Sequence, residues 1–332
     1  MIRPERRDPA PGDIDASFAR DAAVPPAIAV VIPTFRRPDH LRRTLASVLA
    51  QENAPAFAPV VVENDAEGGE GAAAARAMLA DHHGPSRVII ARRRGNCAAY
   101  NAGFHTALTA WPDLCHIAII DDDEIAPPYW LATLARVAAD HGAHCTGAPQ
   151  HPVFEGGDER MVRHRVFRAP YATTGAVPIL YSSGNVLLSA DLLRRHGHPW
   201  LDERFNFLGG GDSDFYARVA RDGARFAWAA EAGVDETTAA RRTELSWLNA
   251  RSLRNGSISA LLQQRAASGS GDHVRRMAKS AALLAASPYR AARIALKERS
   301  LTMALDPINV AMGRALMEFG FANEQYRAAE AN

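Results

Sequence analysis

Cysteine is scarce in this chain: Cys97, Cys115 and Cys145 are scattered singly through 332 residues, with no CxxC pair. That excludes a thiolate zinc site and a disulfide framework, and it suits a reducing compartment. Apolar runs are short too. None reaches the roughly 18 residues that a membrane-crossing helix needs, so no bilayer span is expected. Charge is balanced, with 38 Lys+Arg against 37 Asp+Glu, so no global field points to nucleic acid. No repeat and no low-complexity tract is present. The opening MIRPERRDPAPGD has charge and proline but no apolar stretch behind it, unlike a secretory signal. A cytoplasmic protein is expected, either free or peripheral at the inner face of the membrane.

What is present is an alternation of buried strands and helices. Apolar residues make up 47% of the chain, enough for a sizeable core. Ile28–Ile32 is a short apolar run that stops at Pro33. Leu41, Leu45, Val48 and Leu49 then mark one face of a helix starting near Pro38 and Asp39. Val60–Val62, Val88–Ile90 and Ile117–Ile120 read as further strands, with helices over 71–80 and 97–110 between them. Near-continuous apolar strands separated by helices predict an α/β fold, a mainly parallel sheet covered on both faces. Ligands of such sheets gather beyond the carboxyl ends of the strands. Strands resume at Asn185–Ser189 and Arg225–Ala229 around a helix near Asp214–Arg221. Residues 151–178 read as a long loop, and from Arg241 onward the pattern is helical.

Directly after the strand IAII come Asp121, Asp122, Asp123 and Glu124. Like charges so close raise one another's pKa, and a cation would relieve them. Carboxylates suit Mg²⁺ or Mn²⁺, which take one or two protein carboxylates plus substrate phosphates. A solvated acidic turn or a helix N-terminus has the same composition, and phosphorelay domains also end strands in paired aspartates. The cluster alone leaves these open.

Its companions narrow the choice. Pro33-Thr34-Phe35-Arg36-Arg37 ends the first strand and Val62-Glu63-Asn64-Asp65 the second. Gly95-Asn96-Cys97-Ala98-Ala99-Tyr100-Asn101-Ala102-Gly103 follows the third, and Asp121-Asp122-Asp123 the fourth. Ser183-Gly184-Asn185-Val186-Leu187-Leu188 and Gly209-Gly210-Gly211-Asp212-Ser213-Asp214-Phe215 come later. This series, in order and over residues 28–240, resembles the inverting glycosyltransferase family 2 of GT-A fold. Residues 1–26, rich in Pro, Asp and Arg and without an apolar period, are expected to form a flexible segment, and the resemblance implies a catalytic domain 27–240. That domain divides into a nucleotide-binding half, 27–125, and an acceptor half, 126–240. A helical extension, 241–332, follows.

It also implies a division of labour. Pro33, Thr34, Phe35, Arg36, Glu63, Asn64, Arg93, Asn101, Asp121, Asp122, Ser183, Gly184 and Asn185 would bind a nucleoside-diphosphate sugar, taken as UDP-linked. Asp123 would hold Mn²⁺ or Mg²⁺, Asp212 would act as general base, and Asp214 would bind the acceptor or cap its helix. A base facing the leaving group across the anomeric carbon implies inversion. The chain departs from the family pattern at Glu63 (usually Asp), Tyr100 (usually Arg) and Gly211 (usually Glu). With Tyr100 in place, Arg92, Arg93 or Arg94 would compensate the diphosphate. The family's late histidine ligand is missing, leaving Asp235 or Glu236 as its substitute.

Trp228 is expected in the core, as is Cys97, and His82 and His83 in a solvent-facing loop. Arg36 and Arg37 either approach phosphate or are simply solvated at the surface. A sugar-nucleotide pyrophosphorylase would need a Gly-rich loop after the first strand, which Pro33–Arg37 does not supply. A dinucleotide oxidoreductase would need GxGxxG there. A non-catalytic nucleotide-sugar binder remains the alternative of a different class. The acceptor, whether glycan, lipid-linked or small molecule, is not written in the motifs. Between 271 and 300 the chain is basic and amphipathic: it would rest on anionic lipid, or pack on the catalytic domain or a second copy. The absence of Trp and Phe from that stretch points to packing.

Overall fold

The structure, a computed structural model, describes residues 9–10, 12–267 and 269–321. The expected lead-in divides accordingly. Residues 1–8 and 11 lie outside the described residues, but Ile14–Arg20 forms a strand, β1. Its alternation of Ile14, Ala16 and Phe18 with Asp15 and Ser17 suits an edge strand that is covered on one face. The expectation of a flexible segment through residue 26 is corrected here.

The nucleotide half follows in the order β2 (Ile28–Thr34), α1 (Pro38–Leu49), β3 (Phe57–Glu63), α2 (Glu70–Leu79), β4 (Ser86–Ala91), α3 (Asn96–Ala110) and β5 (His116–Ile119). Then come β6 (Glu124–Ile125), α4 (Trp130–Asp140), β7 (Cys145–Gly147), β8 (Gln150–Glu155), β9 (Gly175–Val177), β10 (Val186–Ser189), α5 (Ala190–His196), α6 (Gly211–Arg221), β11 (Phe226–Trp228) and β12 (Val234–Ala239). The helices α7 (Leu245–Ala266), α8 (Ser270–Glu298), α9 (Leu301–Ala304) and α10 (Asp306–Glu318) complete the described chain.

Nine strands form one sheet in the order β1-β4-β3-β2-β5-β10-β7-β11-β9. Strands β4, β3, β2 and β5 run parallel. The other half is mixed, because β10 enters antiparallel between β5 and β7. One apolar layer covers each face. Val31, Val60 and Phe104 belong to one, Ile32, Leu45 and Trp130 to the other. This is the GT-A Rossmann-like architecture with a helical extension. The stretch 151–178 is less of a loop than its composition suggests. Its first residues belong to β8, which pairs with β12 in a small second sheet whose other edge is β6, and two short 3₁₀ turns follow.

The helical layer is tied down by small residues. Gly256 on α7 and Gly313 on α10 each sit against the other helix's backbone. A Cβ on either would enter the envelope of a carbonyl oxygen, that of Val310 or Leu253.

Candidate active site

The carboxyl ends of β2 and β5, the β5–β6 turn and strand β12 bring five carboxyl groups together: Asp121, Asp122, Asp123, Glu124 and Glu236. Thr34 Oγ1 donates to Asp122 Oδ2 at 2.8 Å, and Thr44 Oγ1 to the Asp122 carbonyl at 2.8 Å. Tyr100 donates its phenol proton to Asp121 Oδ1, and Gln150 donates to Glu124. The Asp121 backbone N–H donates to Glu124 Oε2 at 2.8 Å. Where the family's arginine would neutralise charge, Tyr100 instead orients an acid.

Two arginines answer the cluster. Arg37 Nη1 lies 2.9 Å from Asp123 Oδ2 and 3.3 Å from Asp122 Oδ1. Arg242 lies 2.6 Å from Glu236 Oε1 and 3.8 Å from Asp123 Oδ2. Arg37 is therefore not simply solvated. Carboxylates still outnumber these guanidinium partners. Burial, reinforced by Asp123, raises the Asp121 carboxyl to about 7. Burial raises Asp122 to about 6 despite Arg37. Glu124 and Glu236 are also raised, burial again leading.

Strand alternation decides between the two late acids. Asp235 points outward and is exposed, while Glu236 faces the cluster. Among the described residues no group of three or more His, Cys, Asp or Glu is arranged to hold an ion by itself. The arrangement fits a shared ion instead: Asp123 meets a guanidinium where a cation would sit, and Mg²⁺ or Mn²⁺ draws its remaining ligands from phosphate.

Several other residues expected at the donor turn inward. Glu63 is fully buried and accepts the backbone N–H of Asp65 at 2.8 Å and of Ala72 at 3.1 Å, closing the start of α2. Asn64 spans to Ala91, Arg93 and Gly95 through backbone hydrogen bonds. Asn101 brackets the backbone of Trp200 and Leu201. Asn185, at φ 53°, accepts from Trp130 Nε1 at 2.7 Å and donates to the carbonyls of Pro149 and Ala232. These four are brackets between elements. Arg93 pairs with Asp13 and Glu203, and Arg92 with Asp15, tying β1 and the 203 turn to the rest.

Just after β2, Phe35 is half-buried, with the Arg36 and Arg94 guanidiniums 5.0 and 4.9 Å from its ring. Arg36 also pairs with Asp65 at 2.6 Å. Ser183 hydrogen-bonds Tyr100. Gly184 is pressed on the acids: a Cβ there would stand 2.5 Å from Gln150 Nε2 and 2.8 Å from Glu124 Oε1.

Asp212 is half-buried in the first turn of α6, its Oδ1 accepting from Ser213 N at 2.6 Å. Burial raises its pKa, opposed by that bond and by Arg251. Arg251 lies within electrostatic reach of both Asp212 and Glu236. Its guanidinium and that of Arg242 lie 5.9 and 6.0 Å from the Trp247 ring. Sequence reasoning missed all three, because no local pattern marks a helical extension that reaches back over a distant site. Gly211 has its reason in space, since a Cβ would meet Cys97 Sγ at 2.5 Å. Cys97 is a buried core residue, as expected, and so is Trp228. His82 is half-buried rather than solvent-facing.

Asp214 is corrected. It is buried, with Arg218 Nε at 2.9 Å and Arg265 Nη1 at 2.8 Å. Arg265 also meets Asp202, whose carboxyl falls to about 2 under the bonds from Arg204 and Arg265, against its burial. Such a closed network offers nothing to an acceptor.

Comparison with known proteins bears on family and fold. The succinoglycan biosynthesis protein ExoM of Rhizobium meliloti (strain 1021) is 29% identical over 263 residues, 73% of this chain and 77% of that protein. The mannosyltransferase PcManGT from Pyrobaculum calidifontis, solved in complex with GDP-Man and Mn2+, superimposes with a TM-score of 0.58. It does so over 90% of each chain at 20% identity, a likeness of fold. The family model described as glycosyl transferase family 2 matches residues 29–197, which include the acid cluster and stop short of Asp212. With half of its length matched and the strand-end acids in place, the chain belongs to glycosyl transferase family 2 and is a glycosyltransferase with a nucleoside-diphosphate sugar as donor.

Proposed function

We propose that the chain is a metal-dependent, inverting transferase in which Asp123 holds the ion and Asp212 is the general base. The observation that carries this reading is a crowded, undercompensated acid cluster at the strand ends together with a separate carboxylate, Asp212, in the first turn of α6. When bound, Mg²⁺ or Mn²⁺ supplies Lewis-acid neutralisation of the donor diphosphate. Thr34 and Tyr100 hold Asp122 and Asp121 in place. Arg37 and Arg242, which compensate Asp123 in the ligand-free arrangement, are then available to diphosphate oxygens. Asp212, made more basic by burial, takes the acceptor proton as the hydroxyl attacks the anomeric carbon, a role typically worth about 10²–10⁴-fold. Attack opposite the leaving group inverts that centre.

The donor is taken as UDP-linked on the family resemblance. Since Glu63 is spent on the start of α2, a donor screen should include GDP-linked sugars, as in the Pyrobaculum neighbour. Transfer to water, read as donor hydrolysis, avoids the need to know the acceptor. Asp212→Asn should keep the donor-induced thermal shift and lose turnover by at least about 10²-fold. Asp123→Ala should lose both. Full turnover in excess EDTA would end the metal-dependent reading, and no turnover of any donor would leave a binding protein.

A further inference from the structure

Helix α8 turns an unusual face away from the protein. Arg276, Ser280, Ser287 and Ile294 recur at four- and seven-residue spacings and form the side that packs on α10, α9 and α7. At roughly 100° per residue, the opposite side carries Val274, Ala278, Ala285, Tyr289, Ala292 and Leu296. Val274 is 66% exposed, Tyr289 68% and Leu296 81%. Along one flank of this apolar stripe run Arg275, Lys279, Arg290, Arg293 and Lys297, all exposed.

Two acids on α8 stand against these five cations: Asp272 lies at the first turn, and Glu298 is bound by Arg168 at 3.4 Å, with the Lys297 ammonium at 3.9 Å. The aromatic residues that the 271–300 stretch lacks come from elsewhere. Arg276 pairs with Glu318 at 2.7 Å, which sets the end of α10 beside the first half of α8. There Phe319 is 73% exposed and Phe321 67%.

We propose that this face of α8 docks on an anionic lipid surface, with the apolar stripe in the interfacial region and the basic row against the headgroups. Charge favours lipid over a second copy as the occupant. An antiparallel two-fold pairing of this face would set basic row against basic row, and α8 carries two acids against the five cations of the row. Lipid phosphates supply the missing charge, and an apolar stripe flanked by cations is the make-up of an interfacial helix. The far end of α8 packs near the site, since Ile294 joins Leu248, Phe167 and Trp247 in one small cluster. A docked enzyme would therefore hold Trp247 and the acid cluster close to the bilayer, where a lipid-linked acceptor presents its sugar.

The test is co-sedimentation of the whole chain with vesicles of phosphatidylcholine alone and with one-third phosphatidylglycerol, at low and high salt. Binding should need phosphatidylglycerol and fade with salt. The triple variant Arg275→Gln, Lys279→Gln, Arg293→Gln should bind on the order of 100-fold more weakly, about fivefold per charge. It should melt like the parent and hydrolyse donor in solution at the parent rate. Tyr289→Ser with Leu296→Ser should weaken binding with the basic row intact. Equal binding to neutral vesicles, or none at low salt, would overturn the proposal. So would a concentration-dependent dimer that Leu296→Glu dissociates.

Discussion

Replacing Asp121 with asparagine should remove an alkaline weakness from the metal-free protein. The carboxyl titrates near 7 in the folded chain, raised by burial and then by Asp123, and near 4 in the unfolded chain. Between those values the folded state keeps a proton that the unfolded state has released. Stability therefore falls as pH rises, until pH passes the folded value. From about pH 6 to about pH 8 the single proton is worth about 1 kcal/mol. Asparagine keeps an oxygen for the Tyr100 hydroxyl and has nothing to titrate. Half-buried histidines such as His40 and His82 are lowered by desolvation and act below their unfolded value near 6.5, equally in both proteins. Urea unfolding in EDTA at three pH values should show the parent losing about 1 kcal/mol more than Asp121→Asn. Parallel pH dependences would refute the reasoning, because the carboxyl would then already be ionised at pH 6. Saturating Mn²⁺ should flatten the parent's dependence by offsetting Asp123.

Two further outcomes follow from packing. Gly313→Ala gains about 1 kcal/mol of helix propensity but drives a methyl group into the Leu253 carbonyl. Overpacking of a backbone contact costs about 1–3 kcal/mol or more, so the melting temperature should fall, and a rise would show that α7 and α10 can part freely. Asp214→Ala leaves Arg218 and Arg265 without their shared carboxylate. A loss of about 3–5 kcal/mol is expected; a variant of full stability that fails only in transfer would restore Asp214 to an acceptor role.

The parallel strands were legible because each is an unbroken apolar run, the mark of burial on both faces. The acids of 121–124 were legible because they follow one another in the chain. β1 was hidden in its setting: its period-two pattern is short, and proline and charge surround it. The asparagines show a different limit. Asn64, Asn101 and Asn185 occupy motif positions, yet an amide that could bind a sugar hydroxyl satisfies a neighbouring backbone equally well. Nothing local tells the two apart.

The amino-acid sequence alone therefore determined the alternation of strands and helices, the family, and which acids stand at a strand end, since each is a property of neighbouring residues. Tertiary structure decided where those side chains point and what answers them. Glu236 rather than Asp235 joins the cluster because β12 aligns with β6 in one register. Asp214 is withdrawn because Arg265 arrives from α7. Arg242 and Arg251 become part of the site because the extension folds back over it. Coulomb energy and desolvation depend on distance through space and on burial, and only the packed chain sets either.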